Sequence, residues 1–543
     1  MSELHLEPER IAGPGGLVSS LLGGDPDALG LFPPGAFGHG GTPGAVGRSL
    51  ESSLSPAAFH CPLSAARDRL EAALAGEGLV VTTGQQPQLF GGPLYVLYKA
   101  LAAIRSAAAL ERRLGTPCLA IFWVAGDDHD WREVSSVGYL DRNEELRRVE
   151  LPAPLDRAGR SVGPSQLPAE IRDLTGDFLE ALEAREAGER WLDILREHYS
   201  AGRSFTDAFV GVASSWLDGL PIAFLDSAHP EVRRASTPVV RRVLQEREAV
   251  DQALRQGTDA VAHLGYREQL TQAPGAIPLF REGAGGRYRL RGVSGPIQID
   301  RDGNSMEVSD LVAEAAAETE RYSPSAALRP VLESWLLPVG ATVLGPGEIA
   351  YWSQIGPLFS ALDVPMPWIL PRDSWRVVEP HTARLLRKTG VSAEDLRDGG
   401  ATAAAGLVER SRPRAVEEAL LRLEDSVDEG FGTLETTVAS DLPGLRPAVG
   451  KSRSQAFSAL AALRKTLDSV TRDREQTTIG QLRRAAANLF PGGTPQERAL
   501  AAWVYLARYG DGFIDALRAA ALEPSSPDAA SRDDGVAGAA TEE

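Results

Sequence analysis

Four polar clusters in the sequence contain residue types from which an active site could be built. The first runs Thr83-Gly84-Gln85-Gln86, continues through Gly91-Gly92-Pro93 and reaches Lys99. Glycines let a backbone approach a ligand, a helix starting near Pro93 would attract an anion to its N-terminus, and glutamine amides add neutral donors. A loop that only turns the chain would also use glycines, but two adjacent glutamines are hard to explain by packing. The cluster therefore predicts a binding site for an anionic ligand.

The second cluster surrounds one histidine with carboxylates, in Gly126-Asp127-Asp128-His129-Asp130 and then Glu133. Histidine exchanges protons near neutral pH, and an adjacent carboxylate fixes its tautomer. We predict that His129, Asp128 and Asp130 are catalytic, either in acid–base chemistry or in binding a substrate amine. A solvated acidic helix cap is the alternative. Metal binding is a further alternative, but one histidine among carboxylates is not a specific zinc pattern, so no metal ligand is included in the predicted site.

The third cluster is Gly345-Pro346-Gly347-Glu348, followed by Tyr351 and Trp352, and it again places glycines before a predicted helix. A carboxylate in the first turn of a helix is stabilised by the helix dipole, which is one interpretation of Glu348. The other is a hydrogen bond from Glu348 to a sugar hydroxyl or an ammonium group. Tyr351 or Trp352 would then stack on a ring.

The fourth cluster is cationic and consists of Arg329, before Pro330, and Arg372, after Pro371. An arginine can bind a carboxylate or phosphate through two parallel hydrogen bonds, although either residue could instead pair with a neighbour at the surface. The sequence contains neither a Gly-x-x-x-x-Gly-Lys-Ser/Thr loop nor a Gly-x-Ser-x-Gly motif. P-loop and serine-hydrolase chemistry are therefore disfavoured.

Short apolar runs supply the elements that would position these clusters. Strands are predicted at 79–83, 118–124, 221–226, 341–344 and 368–370, with helices between them. A strand, a helix and a second strand in succession form a parallel βαβ unit. The fold class is therefore predicted to be α/β, with a Rossmann-like doubly wound parallel sheet. Ligands of such folds bind beyond the carboxyl ends of the strands, where the polar clusters fall.

Composition divides the chain into four predicted segments. Residues 1–60 are rich in Gly, Pro and Ser and are predicted to be irregular. The Rossmann-like core spans 61–380, with a mostly helical insertion at about 141–205 and a second insertion at about 265–320 that has strand-like stretches. Residues 381–522 are predicted to form a helical coiled-coil domain, and 523–543 a disordered tail.

The predicted helical domain carries two apolar stripes with heptad-like spacing, on either side of a break at 442–444. Their members are Val416, Leu420, Leu423, Val427, Leu434 and Val438 in the first stripe, and Leu460, Leu463, Leu467 and Val470 in the second. Two stripes separated by a turn indicate an antiparallel helical hairpin or coiled coil. Simple packing of these helices against the core is the alternative.

The overall charge and the cysteine content narrow the class of protein. The chain has 543 residues, with 56 basic and 74 acidic side chains and a formal net charge of −18. Such a surface repels nucleic-acid backbones and anionic membranes, so neither is a predicted partner. Two cysteines without a Cys-x-x-Cys motif, no signal-like N-terminus and no run of 18 apolar residues lead us to expect a cytoplasmic protein.

At these same segments the sequence resembles the family of bacillithiol biosynthesis cysteine-adding enzymes. The matching stretches, spread over residues 80–515 in the family's order, are 83–86, 92–95, 98–99, 122–130, 133, 323–324, 328–330, 336–338, 345–352, 371–372, 489–493, 496–498 and 509–510. The resemblance implies a Rossmann-type core like that of class I aminoacyl-tRNA synthetases and nucleotidylyl transferases. It also implies two insertions and C-terminal helices that form a homodimer.

The sequence departs from the family's pattern at three places. In the related synthetases the first strand ends in a histidine-containing signature that holds ATP phosphates, whereas Thr83-Gly84-Gln85-Gln86 has no histidine. Asp127 stands where glutamate is expected, and Glu333 stands where glutamine is expected. The first departure leaves the mode of carboxylate activation open.

The resemblance implies a ligase that joins L-cysteine to the amino group of glucosaminyl malate, which forms bacillithiol. Because a free carboxylate has no good leaving group, ATP is predicted as the activating cofactor. Cysteine would be activated near Gln85 and Gln86, the sugar amine would lose its proton to His129 or a neighbouring carboxylate, and Arg329 or Arg372 would hold the malyl carboxylates. The predicted substrate- or nucleotide-binding residues are Thr83, Gly84, Gln85, Gln86, Tyr95, Lys99, Glu133, Arg329, Gly347, Glu348, Tyr351, Trp352 and Arg372. The alternatives are a nucleotidylyl transferase acting on another small acid and a non-catalytic dimeric scaffold that binds a nucleotide.

Overall fold

The computed structural model describes residues 4–9, 16–38, 54–153, 159–271, 273–283, 285–300 and 303–522. These residues belong to two compact units. The larger unit contains Leu6–Arg142, Arg147–Arg376 and the chain from Glu497 onward. The helical unit contains Asn143–Leu146 and Val377–Gln496. The predicted disordered tail, 523–543, lies outside the described residues.

Strands and α-helices alternate along the first two thirds of the chain, and helices dominate the last third. The strands are β1 (His5–Pro8), β2 (Phe59–His60), β3 (Leu79–Gln85), β4 (Cys118–Val124), β5 (Ser136–Leu140), β6 (Leu146–Glu150), β7 (Ile222–Asp226), β8 (Ala276–Gly283), β9 (Gly286–Arg291), β10 (Ile297–Ile299), β11 (Ser305–Met306), β12 (Tyr322–Pro324), β13 (Val339–Leu344), β14 (Trp368–Pro371) and β15 (Trp375–Val378). The α-helices are α1 (Leu17–Leu22), α2 (Pro26–Leu29), α3 (Ser64–Leu74), α4 (Tyr95–Leu114), α5 (Trp131–Val134), α6 (Ile171–Ala181), α7 (Glu189–His198), α8 (Phe205–Trp216), α9 (Pro230–Ala235), α10 (Thr237–Gln245), α11 (Arg247–His263), α12 (Val308–Ala317), α13 (Arg329–Leu336), α14 (Pro346–Trp352), α15 (Gly356–Ala361), α16 (Pro380–Thr389), α17 (Ala401–Arg410), α18 (Arg414–Asp441), α19 (Arg446–Arg474), α20 (Gln476–Leu489), α21 (Gln496–Ala499), α22 (Trp503–Tyr509) and α23 (Asp511–Leu522).

A six-stranded sheet forms the centre of the larger unit, in the order β14-β13-β3-β4-β7-β2. All neighbouring strands are parallel except β2, which runs antiparallel to β7. Every residue of β4 is buried, as expected for a parallel strand covered on both faces. The strand order reverses between β3 and β13, which makes their junction the topological switch point where doubly wound folds bind ligands. The predicted Rossmann-like fold class is confirmed.

The register of the sheet brings three strand ends together. Gln85 lies opposite Val124 across the β3–β4 pair, so these strands end level with each other. On the other side of β3, Thr82 pairs with Thr342 of β13. The loops that follow β3, β4 and β13 therefore begin at the same edge of the sheet.

A second, antiparallel sheet in the larger unit has the order β11-β10-β9-β8-β12. The strand-like stretches predicted in the second insertion lie in β9 and β10, so that prediction is confirmed. Ile277, Leu290 and Ile297 of this sheet belong to the same hydrophobic core as Val80 of the central sheet. The second insertion is therefore packed against the fold that holds the strand ends.

The predicted irregular segment, 1–60, contains regular structure. Helix α1 buries Leu17, Val18 and Leu21 in the core of the larger unit, and α2 buries Ala28. Glycines and prolines set the ends of these helices: Asp25 caps α2, Pro26 starts it and Gly30 ends it. Composition therefore suggested irregularity where the glycines and prolines mark helix boundaries.

The helical unit contains a hairpin of two long helices, α18 and α19. Arg464 of α19 lies 3.0 Å from Glu417 and 3.1 Å from Glu424, while Arg453 pairs with Asp428 farther along α18. Since earlier residues of α19 pair with later residues of α18, the helices are antiparallel. The predicted coiled-coil domain is confirmed. Among the described residues, no helix combines the length and apolar character that crossing a bilayer requires.

The two predicted apolar stripes divide between two environments. Leu420, Val438 and Leu460 are buried. Val427 and Leu467 are half-buried, and the remaining stripe residues are exposed, from 42% to 63%: Val416, Leu423, Leu434, Leu463 and Val470. The hairpin therefore uses part of each stripe for its own packing and leaves the rest in contact with solvent.

Candidate active site

A cavity of about 580 Å³ lies in the larger unit, beyond the carboxyl ends of the central strands. Its walls come from the loops after β3, β4 and β13, from α4, and from the antiparallel sheet. Most of the predicted site residues line it, namely Gly84, Gln85, Gln86, Tyr95, Lys99, Asp128, His129, Glu133, Arg329, Gly347, Glu348, Tyr351 and Arg372. All four polar clusters thus meet in one cavity.

Three predicted site residues do not line this cavity. The Thr83 hydroxyl is buried and donates a 2.9 Å hydrogen bond to the Val343 carbonyl of the neighbouring strand. Asp130 caps α5 by accepting from the Glu133 amide, and Trp352 is buried with its ring centroid 5.7 Å from that of Phe359. The structure instead gives each of these side chains a contact within the fold: Thr83 joins two strands, Asp130 starts a helix and Trp352 packs in the core.

The acidic wall of the cavity is organised by Gln86. Its side-chain amide donates to Asp128 Oδ2 at 2.8 Å and to Glu133 Oε2 at 3.0 Å. One neutral donor therefore holds two carboxylates, one from the turn after β4 and one from α5. Partial burial raises the pKa of Glu133, the charges of Asp128 and Asp130 raise it further, and the hydrogen bond from Gln86 opposes them.

Asp128 behaves in the opposite way. Burial alone would raise the pKa of Asp128, but hydrogen bonds from the Gln86 side chain and from the backbone amides of His129 and Asp130, with the charge of Arg287, hold it well below its usual range. The pKa values of Asp128 and Glu133, the two carboxylates that Gln86 bridges, are therefore shifted in opposite directions. Such separation is typical of sites where one carboxyl stays charged and the other exchanges protons.

The ring of His129 lies between a guanidinium group and a carboxylate. Its Nδ1 atom is 3.2 Å from Arg287 Nη1 and 3.5 Å from Asp128 Oδ1, and its side chain is 43% exposed. Arg287 comes from β9, and its guanidinium group also stacks 4.3 Å from the centre of the Phe280 ring. The antiparallel sheet therefore contributes directly to the histidine's environment.

Lys99 connects the loop after β3 to the start of α14. Its ammonium group is buried, lies 2.7 Å from Glu348 Oε2 and also donates to the Gly84 carbonyl. The same Glu348 oxygen accepts from the Gly345 amide at 2.8 Å, so Glu348 both caps the helix and pairs with the lysine. Burial lowers the pKa of Lys99, while Glu348 opposes that shift.

The two arginines predicted to hold substrate carboxylates are already paired within the fold. Arg329 lies 3.0 Å from Glu333 and donates to the Tyr351 hydroxyl at 2.7 Å. Arg372 is buried and donates to Glu497 Oε2 at 2.7 Å. The fold thus balances their charges internally, which argues against the predicted role in binding the malyl carboxylates.

Three other arginines line the cavity, and one of them, Arg287, is held by Ser323, the Pro324 carbonyl and His129. No carboxylate among the described residues pairs with Arg289 or Arg498, although Arg289 lies over the Phe280 ring at 5.7 Å. The sequence prediction missed Arg287, Arg289 and Arg498 as site residues. The alternation of Arg287 and Arg289 in a predicted strand is the signal that could have placed both on one face.

The helical unit contains a separate group of potential metal ligands. Ligand atoms of Glu144, Glu379 and His381 lie within 4.8 Å of one another. Asn488 donates to Glu379 at 2.7 Å, and Arg484 lies 3.6 Å from Glu144, so both carboxylates already have internal partners.

Comparison with protein families gives matches over nearly the whole chain. Residues 50–373 match the model described as the bacillithiol biosynthesis BshC N-terminal Rossmann-like domain, and 376–526 match the BshC C-terminal coiled-coil domain. A protein of Symbiobacterium thermophilum, named "putative cysteine ligase BshC", is 32% identical over 493 residues, covering 88% of this chain and 87% of its own length. Proteins of the same name from Salinibacter ruber and Bacillus cytotoxicus are 29% and 26% identical, with 83% and 82% of this chain covered and 82% of each relative.

Proposed function

We propose, from the premise that the chain belongs to the bacillithiol biosynthesis BshC family, that this ligase adds L-cysteine to the amino group of glucosaminyl malate to form bacillithiol. The family relatives carry the name of cysteine ligases, whereas the second substrate is our proposal. The observation that carries the proposal is the convergence of an acidic wall and two arginines, which pair with no carboxylate among the described residues, in one cavity at the switch point of the sheet.

The charged groups of the two substrates match the acidic wall and the two arginines of the cavity. Glucosaminyl malate presents an amine and two malyl carboxylates, and cysteine presents an ammonium group and a carboxylate. Asp128 and Glu133 suit the ammonium groups, while Arg289 and Arg498 suit the carboxylates, because a guanidinium group can bind a carboxylate bidentately. Phe280 and Tyr95 line the same cavity and would give a sugar ring apolar surface to contact.

Amide formation from a free carboxylate needs activation, and we propose ATP as the activating cofactor. When bound, the nucleotide would supply a phosphoryl or adenylyl group that turns the carboxylate oxygen into a leaving group. The loop after β13 leaves room for such an anion beside the start of α14, since a Cβ at Gly347, which lines the cavity, would meet nothing within 4 Å. Gly84 and Gln85 border the same space and would hold the cysteine carboxylate close to it.

The direct test is the small-thiol content of cells with and without the gene, measured by mass spectrometry. The proposal predicts that cells from which the gene is deleted lack bacillithiol and accumulate glucosaminyl malate. Unchanged bacillithiol would refute it. A nucleotidyl conjugate of another small acid that disappears on deletion would indicate a nucleotidylyl transferase instead. Restoration of the thiol by a His129→Ala, Glu133→Gln double variant would favour a non-catalytic scaffold.

We also propose that the hairpin of α18 and α19 forms a homodimer. The exposed half of the two stripes, which includes Leu423, Leu434 and Leu463, is an apolar face that a second copy of the same hairpin would cover. Sedimentation velocity should give a dimer for the full chain and a monomer for Leu423→Asp combined with Leu463→Asp. Ser454→Asp, at an exposed position on α19, is the control and should stay dimeric. A monomeric parent chain would contradict the proposal.

A further inference from the structure

The guanidinium group of Arg287 has a specific partner for each nitrogen. Its Nε donates to Ser323 Oγ at 2.9 Å and its Nη2 to the Pro324 carbonyl at 3.1 Å. For Nη1, the acceptor found among the described residues is His129 Nδ1, at 3.2 Å. Because the arginine is buried and always protonated, its Nη1 needs that acceptor.

Asp128, the other neighbour of the ring, does not need a ring proton. Its Oδ1 accepts from the backbone amides of His129 at 2.6 Å and Asp130 at 3.2 Å. Its Oδ2 accepts from Gln86 at 2.8 Å. The ring nitrogen lies farther from Asp128 than from Arg287, at 3.5 Å. Hydrogen-bond satisfaction therefore favours an unprotonated Nδ1 that accepts from Arg287.

We infer that Arg287 holds His129 as a neutral ring with its proton on Nε2, and that Glu133 takes the proton of the attacking amine. This inference rests on the proposed function and identifies which residue is the base. A ring whose Nδ1 lone pair accepts from Arg287 presents only the N–H of Nε2 to the cavity. Protonation of Nδ1 would place its N–H opposite the N–H of Arg287 Nη1, so that two donors would face each other. His129 can then stabilise negative charge on an oxygen without accepting a proton.

Glu133 has the geometry of a proton acceptor. Gln86 donates to its Oε2, while no side chain among the described residues donates to its Oε1. The residue lines the cavity together with Asp128, and the charges of Asp128 and of the neighbouring Asp130 both act on it. These neighbours are acidic, so they favour uptake of a proton by Glu133. Asp128 stays charged and holds the ammonium group in place.

Amide formation exchanges one bond at the cysteine carboxyl carbon and releases one proton. The amine nitrogen forms a bond to the carboxyl carbon of the activated cysteine, and the bond from that carbon to the phosphoryl or adenylyl oxygen breaks, with its electron pair leaving on the oxygen. The proton released by the nitrogen goes to Glu133. The N–H of His129 stabilises the charge that develops on oxygen during this exchange.

The pH dependence of kcat/KM for bacillithiol formation separates the two candidate bases. Glu133→Gln keeps the size of the side chain but cannot accept a proton, so kcat/KM should fall about 100-fold or more. His129→Gln keeps an N–H donor without basicity and should stay within about tenfold of the parent, with the same decline at acidic pH. Glu150→Gln, exposed in β6, is the matched control and should leave kcat/KM unchanged.

Either of two kinetic results would overturn the inference. One is a His129→Gln variant as impaired as Glu133→Gln, with the acidic decline lost. The other is a Glu133→Gln variant that turns over like the control. An inactive parent enzyme would instead contradict the proposed function. The tautomer of His129 is tested without turnover, by NMR.

Nitrogen-15 NMR of the histidine rings reports that tautomer without any turnover. The His129 resonances, assigned by their absence from His129→Gln, should show a protonated Nε2 and an unprotonated Nδ1 at neutral pH. Arg287→Met should remove this preference. A protonated Nδ1 in the parent protein would refute the inference whatever the kinetics show.

Discussion

Five of the cations that line the cavity fall into two groups that differ in whether the fold supplies their counter-charge, while the sixth, Arg287, donates to His129. Three are paired internally: Lys99 with Glu348, Arg329 with Glu333 and Arg372 with Glu497. Arg289 and Arg498 line the same cavity without a paired carboxylate among the described residues. An internally paired cation fixes the position of the elements it joins, whereas an unpaired cation can gain most from a bound anion. Position at a strand end therefore does not by itself identify a ligand-binding arginine.

The largest expected difference between the two groups is in stability. Arg372→Ala leaves Glu497 buried without its partner, so the free energy of unfolding should fall by about 3–5 kcal/mol. Arg498→Ala removes an exposed side chain and should change it by less than about 0.5 kcal/mol. Urea denaturation of both variants measures the difference. Equal losses would show that the distinction between paired and unpaired arginines is wrong.

A smaller loss is expected for the lysine pair, since Glu348 is partly exposed. Glu348→Gln removes the charge opposite the buried ammonium group of Lys99. The free energy of unfolding should therefore fall by about 2 kcal/mol. The double variant Glu348→Gln, Lys99→Met removes both charges and should recover part of that loss. Denaturation curves for the two variants provide the measurement. No recovery in the double variant would contradict the assigned pairing.

The unpaired group should control substrate binding. Arg289→Ala and Arg498→Ala should each raise KM for glucosaminyl malate about tenfold, with little change in stability, because each removes a charge-assisted hydrogen bond to the anionic substrate. Initial-rate kinetics test this expectation, and Arg67→Ala, outside the cavity, serves as control. If Arg329→Ala or Arg372→Ala raised KM in a fully folded enzyme while these two variants did not, the roles would be reversed.

The smallest expected effect concerns the acidic wall. The pKa of Asp128 is depressed in the folded chain, so its contribution to stability is present above the ordinary value of 3.8 and is lost as pH falls towards the folded pKa. The parent chain should therefore lose more stability than Asp128→Asn between about pH 5 and about pH 3, an interval that brackets the pKa of the unfolded carboxyl. Urea denaturation at both pH values measures the two slopes. Parallel slopes would mean that Asp128 is not held in its charged form.

The central fold was predictable because each parallel strand is a short apolar run that ends in a turn. The family resemblance carried by the motifs is confirmed by matches to both domain models. Helices α1 and α2 were missed because their glycines and prolines also fit an irregular segment. The exposed half of the hairpin stripes could not be told from the buried half, since heptad spacing marks an apolar face without saying what covers it.

The partners of the arginines could not be predicted from the sequence. Glu497 lies 125 residues after Arg372, and nothing in either local sequence links them. Arg287 reaches His129 across a separation of 158 residues, through a sheet whose position depends on tertiary packing. Local spacing placed Gln86, His129 and Glu348 at the same edge, but the charge balance of the cavity became visible only in three dimensions.

The most direct test of the central claim is mass-spectrometric detection of the amide product formed by the purified chain. Incubation with isotopically labelled cysteine, glucosaminyl malate and ATP should yield bacillithiol carrying the label, and Glu133→Gln should yield at most about one hundredth of the parent rate. Absence of labelled product from the folded parent chain, under conditions in which both substrates bind, would contradict the assignment of this cavity as a cysteine-ligase active site.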